Sequence, residues 1–436
     1  MTWRDDRRAR LLDPNRQRPV AELDDDALPD SLIRSREVIV NDLALSLVPL
    51  APPVYSEMTE GFSFLADLGL HLFHIDEPSP TPSPDDTRVL VEDLLATVRA
   101  AAEAEHIDPD LVVVSLHYVW GGDPRYHGGP GGLPSPTEVP WPRPPRPPSD
   151  GLPVAAVLDT GYATGGQFNL AAYLRPDPTD TDPLYLDPAK KILGPEGGHG
   201  TFVAGVLVRM ADGAISVDPG RALDDPSDGG ADGFGDDTSV ARELVEMLQR
   251  PTVPRVINMS FSTTTTDGLT PISTRTAMAR FPATTVFVAS AGTHDPTATQ
   301  ASRLVPRLPA ADPRVVGVAS VDVDGQGNWT ASEFTPWGPW VDVCTFGEHI
   351  LSTYVEGEMP GVGGFHGRAV WDGTSFAAPV FAGEVLRRSL AWKVSASTVC
   401  DSLIKSLPAV PIKPNGGLGR LYDPRSTQLG IDPRLL

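Results

Sequence analysis

The sequence predicts an α/β fold: a mostly parallel sheet with helices on both faces, preceded by a small α/β N-terminal domain. Two observations lead to this prediction. After residue 151, short apolar runs alternate with helix-like segments, which is typical of strands buried on both faces of a parallel sheet. Before it, a stretch dominated by proline and glycine separates this region from an earlier folded unit. The apolar runs are residues 154–158, 256–259, 286–289 and 315–321.

The domain boundaries follow from length and composition. A chain of 436 residues exceeds what one hydrophobic core usually organises, so two folded units are expected. We predict a flexible tail at residues 1–35, a small α/β domain at 36–120, a Pro/Gly-rich linker at 121–151, a larger domain at 152–425 and a C-terminal tail at 426–436.

The small domain contains patterns of both strand and helix. Extended runs are predicted at residues 37–50, 62–75 and 111–118. Residues 87–105 have the apolar spacing of a helix. The apolar stripe of that helix consists of Val89, Leu90, Leu94, Leu95 and Val98.

The charge of the chain limits its partners. The 57 acidic and 35 basic residues give a net charge of −22, which repels nucleic acid and anionic membrane surfaces. No apolar run reaches the length of a membrane span, and the first residues lack the pattern of a signal peptide. With only Cys344 and Cys400, a disulfide framework is excluded, although a single bridge stays open. We therefore expect a cytoplasmic protein without nucleic-acid or membrane partners.

The first candidate for chemistry is Asp159, which follows the apolar run 154–158 and precedes a Thr-Gly turn. Active sites of open α/β sheets form where strands end in this way. Two other interpretations exist: such an aspartate often only accepts hydrogen bonds from backbone amides, and Asp-Thr-Gly also occurs in aspartic proteases. The latter need a second carboxylate to share the proton, and the chain contains no second Asp-Thr-Gly or Asp-Ser-Gly.

The second candidate is His199, which stands between Gly198 and Gly200 at the start of an apolar, helix-like run. A helix start between glycines allows a neighbouring chain to approach closely. The positive end of a helix disfavours the protonated imidazole, so this position suits a neutral base. The alternative is a histidine that is there by chance.

The third candidate is Ser375 in the segment Asp372-Gly-Thr-Ser. An apolar helix is predicted after it, running to about Trp392 with Pro379 in its first turn. The positive helix end behind such a serine suits a nucleophile whose attack creates an oxyanion. The simpler interpretation is a serine that caps the helix.

Together and in this order, the three segments resemble the subtilisin-like serine proteases (subtilases). Three further segments resemble parts of the same family, namely Val256–Phe261, Gly230–Gly235 and Asp342–Thr353. The resemblance implies a subtilisin-like sheet and a catalytic triad formed by Asp159, His199 and Ser375.

The resemblance also implies a reaction. Asp159 would orient His199, which takes the proton of Ser375 Oγ, and water would hydrolyse the acyl-enzyme. The substrate, a protein or peptide, is expected to bind as an added strand between two edge segments. Their residues are Gly233, Phe234, Gly235, Ser260, Phe261 and Ser262.

The oxyanion site departs from the family pattern. Subtilases usually carry an Asn donor after the strand that here ends near Gly292, whereas this chain has Thr293. Losing one such donor costs roughly 10²- to 10³-fold in turnover. We expect Thr293 and Ser375 to form the oxyanion site, with His294 as a second candidate. A pseudoprotease that binds extended peptides without cutting them is the alternative, and acyl transfer to amines also stays open.

Two further departures concern side chains near the site. Phe202 stands where the family often has His, and Phe346 replaces a proline that often shapes the wall of the specificity pocket. The side-chain preference is therefore left unassigned.

No cofactor or metal is expected for catalysis, because the chain contains no His-Glu-x-x-His pattern. The acidic stretch Asp224–Asp237 invites comparison with the structural calcium sites of many subtilases, but its spacing does not match an EF-hand loop, and a solvated loop is expected. Subtilases commonly carry an N-terminal prodomain, and residues 36–120 take that position. A regulatory domain for a partner is the alternative. A prodomain predicts self-cleavage within Gly121–Asp150.

Overall fold

The structure is a computed structural model. It describes residues 20–22, 31–76, 84–121, 132–139, 154–163, 170–173, 185–213, 215–223, 233–293, 302–410, 417–426 and 432–434. The predictions for His294 and for most of the acidic stretch 224–237 lie outside the described residues.

The N-terminal unit is an antiparallel sheet with one long helix on one face. The elements of this unit and of the segment after it are β1 (Val20–Glu22), β2 (Leu32–Asn41), α1 (Asp42–Leu47), β3 (Tyr55–Glu57), α2 (Phe64–Asp67), β4 (Leu70–Ile75), α3 (Pro84–Ala104), β5 (Val114–Gly121) and β6 (Ser135–Pro136). The strand order in the sheet is β5-β2-β4-β3.

Several details of this unit differ from the sequence-based prediction. The run 37–50 is divided into β2 and α1, because the side chain of Asn41 caps the helix by accepting from the backbone N–H of Ala44. Val89 is 52% exposed, whereas Val91 belongs to the buried stripe. The strand predicted at 111–118 begins only at Val114, after a 3-10 turn, and continues to Gly121.

The larger domain is organised around seven parallel strands. Its elements are β7 (Val154–Asp159), β8 (Tyr185–Asp187), β9 (Ile192–Leu193), α4 (His199–Met210), β10 (Ser216–Arg221), β11 (Phe234–Asp236), α5 (Asp237–Gln249), β12 (Val256–Met259), α6 (Ile272–Met278), β13 (Val286–Ser290), β14 (Val315–Val323), β15 (Trp329–Ala331), β16 (Val343–Phe346), β17 (Ile350–Met359), β18 (Gly363–Trp371), α7 (Thr374–Trp392), α8 (Ala396–Ser406) and β19 (Arg420–Leu421). The order in the central sheet is β10-β7-β12-β13-β14-β16-β19, and β15 pairs antiparallel with β14.

Helices cover both faces of the central sheet. In β7, Ala155 and Val157 belong to the apolar core shared with α4 and α7, whereas Ala156 and Leu158 belong to the core shared with α5. Successive side chains of a strand point to opposite faces, so an uninterrupted apolar run supplies both cores. The predicted fold class is confirmed.

The two units are joined by strand pairing and by apolar packing. From the larger domain, β11 pairs antiparallel with β5 and so extends the N-terminal sheet. In β2, Val38 and Val40 pack with α3, whereas Ile39 belongs to the same buried core as residues of α5 and α6. The N-terminal sheet therefore lies between its own helix and the larger domain.

Part of the predicted linker is attached to the larger domain. In residues 132–139, β6 pairs antiparallel with β18. Trp371 Nε1 donates a hydrogen bond of 2.7 Å to the carbonyl oxygen of Gly132, and Arg368 Nη1 donates one of 2.7 Å to that of Val139. This segment is therefore the edge strand of a sheet and not a free spacer.

The predicted tails also contain packed residues. Residues 20–22 and 32–35 belong to β1 and β2, so the tail predicted at 1–35 is wrong for these positions. Near the C-terminus, Arg434 Nη1 lies 2.7 Å from Asp322 Oδ1, and Arg209 Nη2 donates to the carbonyl oxygen of Asp432. The tail predicted at 426–436 is wrong for residues 432–434, because these contacts hold them on the larger domain.

Cys344 and Cys400 are both buried and both free, so the single bridge that the sequence left open is not formed. Among the helices of the described segments, none has the length and apolar character needed to cross a bilayer.

Candidate active site

Asp159 is the last residue of β7 and is fully buried. Its Oδ1 accepts a hydrogen bond of 2.8 Å from the backbone N–H of Thr160 and lies 2.6 Å from Nδ1 of His199. A carboxylate at this distance favours the imidazole tautomer that carries its proton on Nδ1. In that tautomer Nε2 is the ring atom that can accept a proton.

The approach of α4 to the end of β7 depends on Gly200. A Cβ atom at this position would lie 2.1 Å from the carbonyl oxygen of Gly161, so a larger residue would push the two segments apart. The backbone N–H of Gly200 donates to Thr160 Oγ1 at 2.9 Å, which ties the helix start to the turn after Asp159. The predicted role of the glycines around His199, close approach of a neighbouring chain, is observed here.

The imidazole of His199 is held by aromatic neighbours. His199 is the first residue of α4, after Gly198 with a φ of 88°. The ring centroid of His199 lies 5.5 Å from that of Trp371 and 5.5 Å from that of Phe376. Phe202 packs against the same two rings, at 5.6 and 4.5 Å. Phe202, which stands where the family often has His, therefore adds an apolar ring to the aromatic residues that pack around the imidazole.

Ser375 is the second residue of α7 and is fully buried. Its Oγ lies 3.4 Å from the carbonyl oxygen of Ser260, just beyond the end of β12. Because Phe376 packs on the imidazole, the start of α7 lies beside His199. The structure therefore brings all three predicted residues into one buried site.

Pro379 lies in the second turn of α7, whereas the sequence-based prediction placed it in the first. A proline lacks the N–H that would bond to the carbonyl four residues earlier, which here is the carbonyl of Ser375. Ser260 Oγ donates to this carbonyl at 2.7 Å, and Asn258 Nδ2 donates to Ser260 Oγ at 2.9 Å. Side chains from the end of β12 thus replace the missing helix hydrogen bond.

The predicted oxyanion residue Thr293 is buried beyond the end of β13. The residue before it, Gly292, has a φ of 92°, and its carbonyl accepts a hydrogen bond of 2.7 Å from Thr374 Oγ1. This bond links the residue before Thr293 to the residue before Ser375. The two predicted oxyanion groups therefore belong to adjacent, hydrogen-bonded segments.

The two predicted substrate segments flank a strand of the chain itself. Gly121, the last residue of β5, exchanges two backbone hydrogen bonds of 3.1 and 2.8 Å with Ser262. On the other side, Phe234 lies opposite Gly121 and Gly235 lies opposite Trp120 in the antiparallel pair of β11 and β5. The end of β5 therefore lies where the sequence predicts an extended substrate.

Not all predicted substrate residues present their side chains there. Phe261 is fully buried and packs edge-on against Trp120, with ring centroids 5.4 Å apart. A Cβ atom at Gly233 would lie 2.4 Å from the side chain of Glu196, and one at Gly235 would lie 1.9 Å from the carbonyl oxygen of Ala222. The glycines therefore allow β11 to lie close to its neighbours.

A buried ionic cluster beside β5 is not predicted from the sequence. Arg34 Nε lies 3.1 Å from Asp236 Oδ2, while His117 lies between two carboxylates, with Nδ1 2.6 Å from Glu37 Oε2 and Nε2 3.3 Å from Asp236 Oδ1. Burial by itself lowers the pKa of His117, but Asp236 and Glu37 outweigh it and raise the pKa to about 9. The charged residues within apolar β2 are the one sequence signal for this cluster, because buried charges require partners.

Within the described residues, one group of side chains has the spacing of metal ligands. Asp322, Glu348 and His349 offer ligand atoms that lie within 4.8 Å of one another. Asp322 already pairs with Arg434 Nη1 at 2.7 Å, so the charge of this group is partly neutralised by the protein itself. The acidic stretch 224–237 is described only from residue 233 onward. There Asp236 caps α5, and Asp237 accepts hydrogen bonds from the backbone of α6, so both carboxylates have partners within the protein.

Comparisons with known proteins identify a matching family and a similar fold. The sequence model of the subtilase family matches residues 151–407. Over 74 residues the chain is 43% identical to mycosin-4 of Mycobacterium tuberculosis, a stretch that covers 16% of this chain and 15% of mycosin-4. The fold is similar to the crystal structure of fervidolysin from Fervidobacterium pennivorans, described as a keratinolytic enzyme related to subtilisin, with a TM-score of 0.57 and 17% identity. That alignment covers 93% of this chain and 61% of fervidolysin, so the chain spans less than two thirds of either relative.

Proposed function

The chain belongs to the subtilase family, and we propose that it is a serine endopeptidase whose catalytic triad is Asp159, His199 and Ser375. The observation that carries this proposal is the contact of 2.6 Å between Asp159 Oδ1 and His199 Nδ1, beside the helix start that presents Ser375. An aspartate that only accepts backbone amides does not require a buried histidine as a further partner. The geometry therefore favours a proton relay over the simpler interpretation of each residue.

The proposed reaction begins with the hydroxyl proton of Ser375. His199 Nε2 takes this proton while Oγ forms a bond to the carbonyl carbon of the substrate. The imidazole then carries a positive charge, which the buried carboxylate of Asp159 stabilises. In the described conformation Ser375 Oγ lies 3.4 Å from the carbonyl oxygen of Ser260, and the proposed transfer requires Oγ to reach hydrogen-bond distance of Nε2.

The tetrahedral intermediate then collapses. His199 gives its proton to the leaving amine, the peptide C–N bond breaks, and an ester between Ser375 and the acyl residue remains. Water attacks this ester with His199 again as base. The oxyanion formed in both steps would be stabilised by the start of α7 and by the hydroxyl of Thr293.

A fluorophosphonate probe, which phosphonylates activated serines, tests this function. We expect labelling of folded Gly121→Pro, which removes the N–H that Gly121 donates to Ser262, and loss of this labelling when Ser375→Ala or His199→Ala is added. Ser389→Ala is the matched control, because Ser389 lies in the same helix and donates to the carbonyl of Val394, a role outside the proposed relay. Labelling that persists in Ser375→Ala would contradict the proposed nucleophile.

The second candidate function is that of a peptide-binding pseudoprotease. The observation that favours it is Thr293, which stands where the family carries an Asn donor. Correctly folded protein that binds extended peptides but shows no labelling that depends on Ser375 would support this candidate instead.

We further propose that the N-terminal unit is a prodomain-like inhibitor. Its strand β5 pairs with both edge segments of the cleft, and Asp159, His199 and Ser375 are all fully buried while it is in place. A strand in this position competes with any substrate that binds by strand addition.

Incubation of the purified full chain distinguishes a prodomain from a regulatory domain. A prodomain predicts self-cleavage between residues 121 and 150, detected by mass spectrometry and absent in Ser375→Ala. A stable full-length product with a reactive Ser375 would favour a regulatory domain that releases the cleft when a partner binds.

A further inference from the structure

Arg307 is a buried arginine that the proposed reaction leaves without a role. It is 2% exposed and lies on the segment whose next residue, Leu308, exchanges two backbone hydrogen bonds of 2.9 Å with Thr263. Its stem packs on Gly292, where a Cβ atom would lie 2.8 Å from Arg307 Cγ and 3.3 Å from Ser262 Oγ. The stem of this charged side chain therefore lies beside the turn before Thr293 and beside the edge segment of the cleft.

The strand register shows which substrate residue would face this charge. Gly121 lies opposite Ser262 in an antiparallel pair. A substrate strand bound in the same register would have one residue opposite Ser260, two positions beyond the residue opposite Ser262. The carbonyl of this substrate residue would lie next to Ser375, because Ser375 Oγ lies 3.4 Å from the carbonyl oxygen of Ser260. We refer to it as the acyl residue, since its carbonyl would be attacked.

The face of the strand follows from the same register. Residues directly opposite one another in a sheet point to the same face, and so do residues two apart on one strand. The side chain of the acyl residue therefore points to the face on which Ser262 lies, and Ser262 Oγ is next to Gly292 and the stem of Arg307. The stem of Arg307 thus lies on the side of the cleft to which this side chain would point.

We infer that Arg307 makes the cleft selective for an acidic acyl residue, aspartate or glutamate. A guanidinium is always charged and binds carboxylates through two parallel hydrogen bonds, whereas a lysine or arginine side chain would be repelled. The inference rests on the proposed peptidase function, whose substrate class it names.

The chain itself carries a matching residue. If the antiparallel register of Gly121 with Ser262 continued for two residues, the position opposite Ser260 would correspond to residue 123, and the sequence reads Gly121-Gly122-Asp123. Asp123 lies outside the described residues, so this agreement concerns register and sequence alone. An aspartate in the position that Arg307 selects is what an inhibitory strand needs in order to imitate a substrate.

The test compares acyl-Gly-Gly-Asp and acyl-Gly-Gly-Asn coumarin amides, which differ only in charge. Both are assayed with the full chain and with Gly121→Pro, which removes the N–H that Gly121 donates to Ser262 and so opens the cleft. We expect kcat/KM for the aspartyl peptide to exceed that for the asparaginyl peptide by about tenfold or more, since charge-assisted hydrogen bonds are stronger than neutral ones. In Arg307→Gln this ratio should fall to near unity, and in Arg307→Glu a lysyl peptide should become the better substrate.

Arg303→Gln is the matched control, because Arg303 lies four residues away and packs on Trp337 at 4.9 Å, and it should keep the preference. Equal, measurable rates for the two peptides with Gly121→Pro would overturn the inference even if the Arg307 variants do not fold. Fluorophosphonate labelling of Ser375 without cleavage of the aspartyl peptide by Gly121→Pro would also overturn it. Absence of labelling in folded Gly121→Pro would instead reject the peptidase function.

Discussion

The hydroxyl of Ser260 donates a hydrogen bond to the backbone carbonyl of Ser375, the residue that we propose as nucleophile. This carbonyl would be bonded within α7 if residue 379 were not proline. One proline therefore frees an acceptor at the start of the helix, and a side chain from the end of β12 uses it. The bond joins the edge segment for the substrate to the segment that carries the nucleophile.

Ser260→Ala should lower the free energy of unfolding by about 1–3 kcal/mol, because it leaves a buried carbonyl without its donor. Equilibrium unfolding in urea measures this change. Ser262→Ala is the control: the hydroxyl of Ser262 makes no hydrogen bond within the described residues, and a loss of about 0.5 kcal/mol or less is expected. Equal losses in the two variants would contradict the role assigned to Ser260.

Thr293→Asn should raise kcat by about 10- to 100-fold, since it restores the amide donor typical of the family at the oxyanion. Thr293→Ala should lower kcat, with little change in KM, if the threonine hydroxyl is the present donor. Both variants are assayed on the aspartyl coumarin amide in the Gly121→Pro chain. A Thr293→Ala variant with unchanged kcat would show that this hydroxyl does not stabilise the oxyanion.

The raised pKa of His117 predicts that the contact between the two units weakens at alkaline pH. Its pKa in the folded protein, about 9, lies above the ordinary value of 6.5, so its stabilising contribution is complete below pH 6.5 and is lost as the pH rises through about 9. It faces Glu37 and Asp236, and Asp236 is also paired with Arg34. The change in unfolding free energy over this range should amount to a few kcal/mol at most.

Thermal unfolding measured from pH 6.5 to 9 tests this prediction. The parent chain and His74→Gln, whose histidine is partly exposed, should both lose stability as the pH rises, whereas His117→Gln should lose less. Parallel curves for the parent chain and His117→Gln would mean that another group causes the loss.

Pro124→Ala should accelerate self-cleavage after residue 123. If the register of Gly121 with Ser262 continued along the sequence, the leaving nitrogen would be that of Pro124, whose rigid ring would hinder delivery of a proton by His199. Misplacement of reacting groups by about 1 Å can cost about 10²-fold, so an increase of up to this size is expected. The rate is followed by mass spectrometry of the full chain, with Pro130→Ala as control. Equal rates in the two variants would contradict the register.

The three motifs around Asp159, His199 and Ser375 are local, and their roles could be predicted from the chain alone. A strand end, a helix start between glycines and a serine before an apolar helix are each coded by neighbouring residues. The alternating faces of β7 follow in the same way from an uninterrupted apolar run. Predictions failed where a short segment has a partner distant in sequence, as β6 has in β18 and Arg434 has in Asp322.

By itself, therefore, the sequence determined the α/β class, the three residues of the proposed relay and the departure at Thr293, because each depends on a run of adjacent residues. Only the tertiary structure decided that β5 lies between the two edge segments, that His117 lies between Glu37 and Asp236, and that the stem of Arg307 packs on Gly292. These features join residues from separate parts of the chain, and their energies depend on burial and distance, which no local pattern encodes.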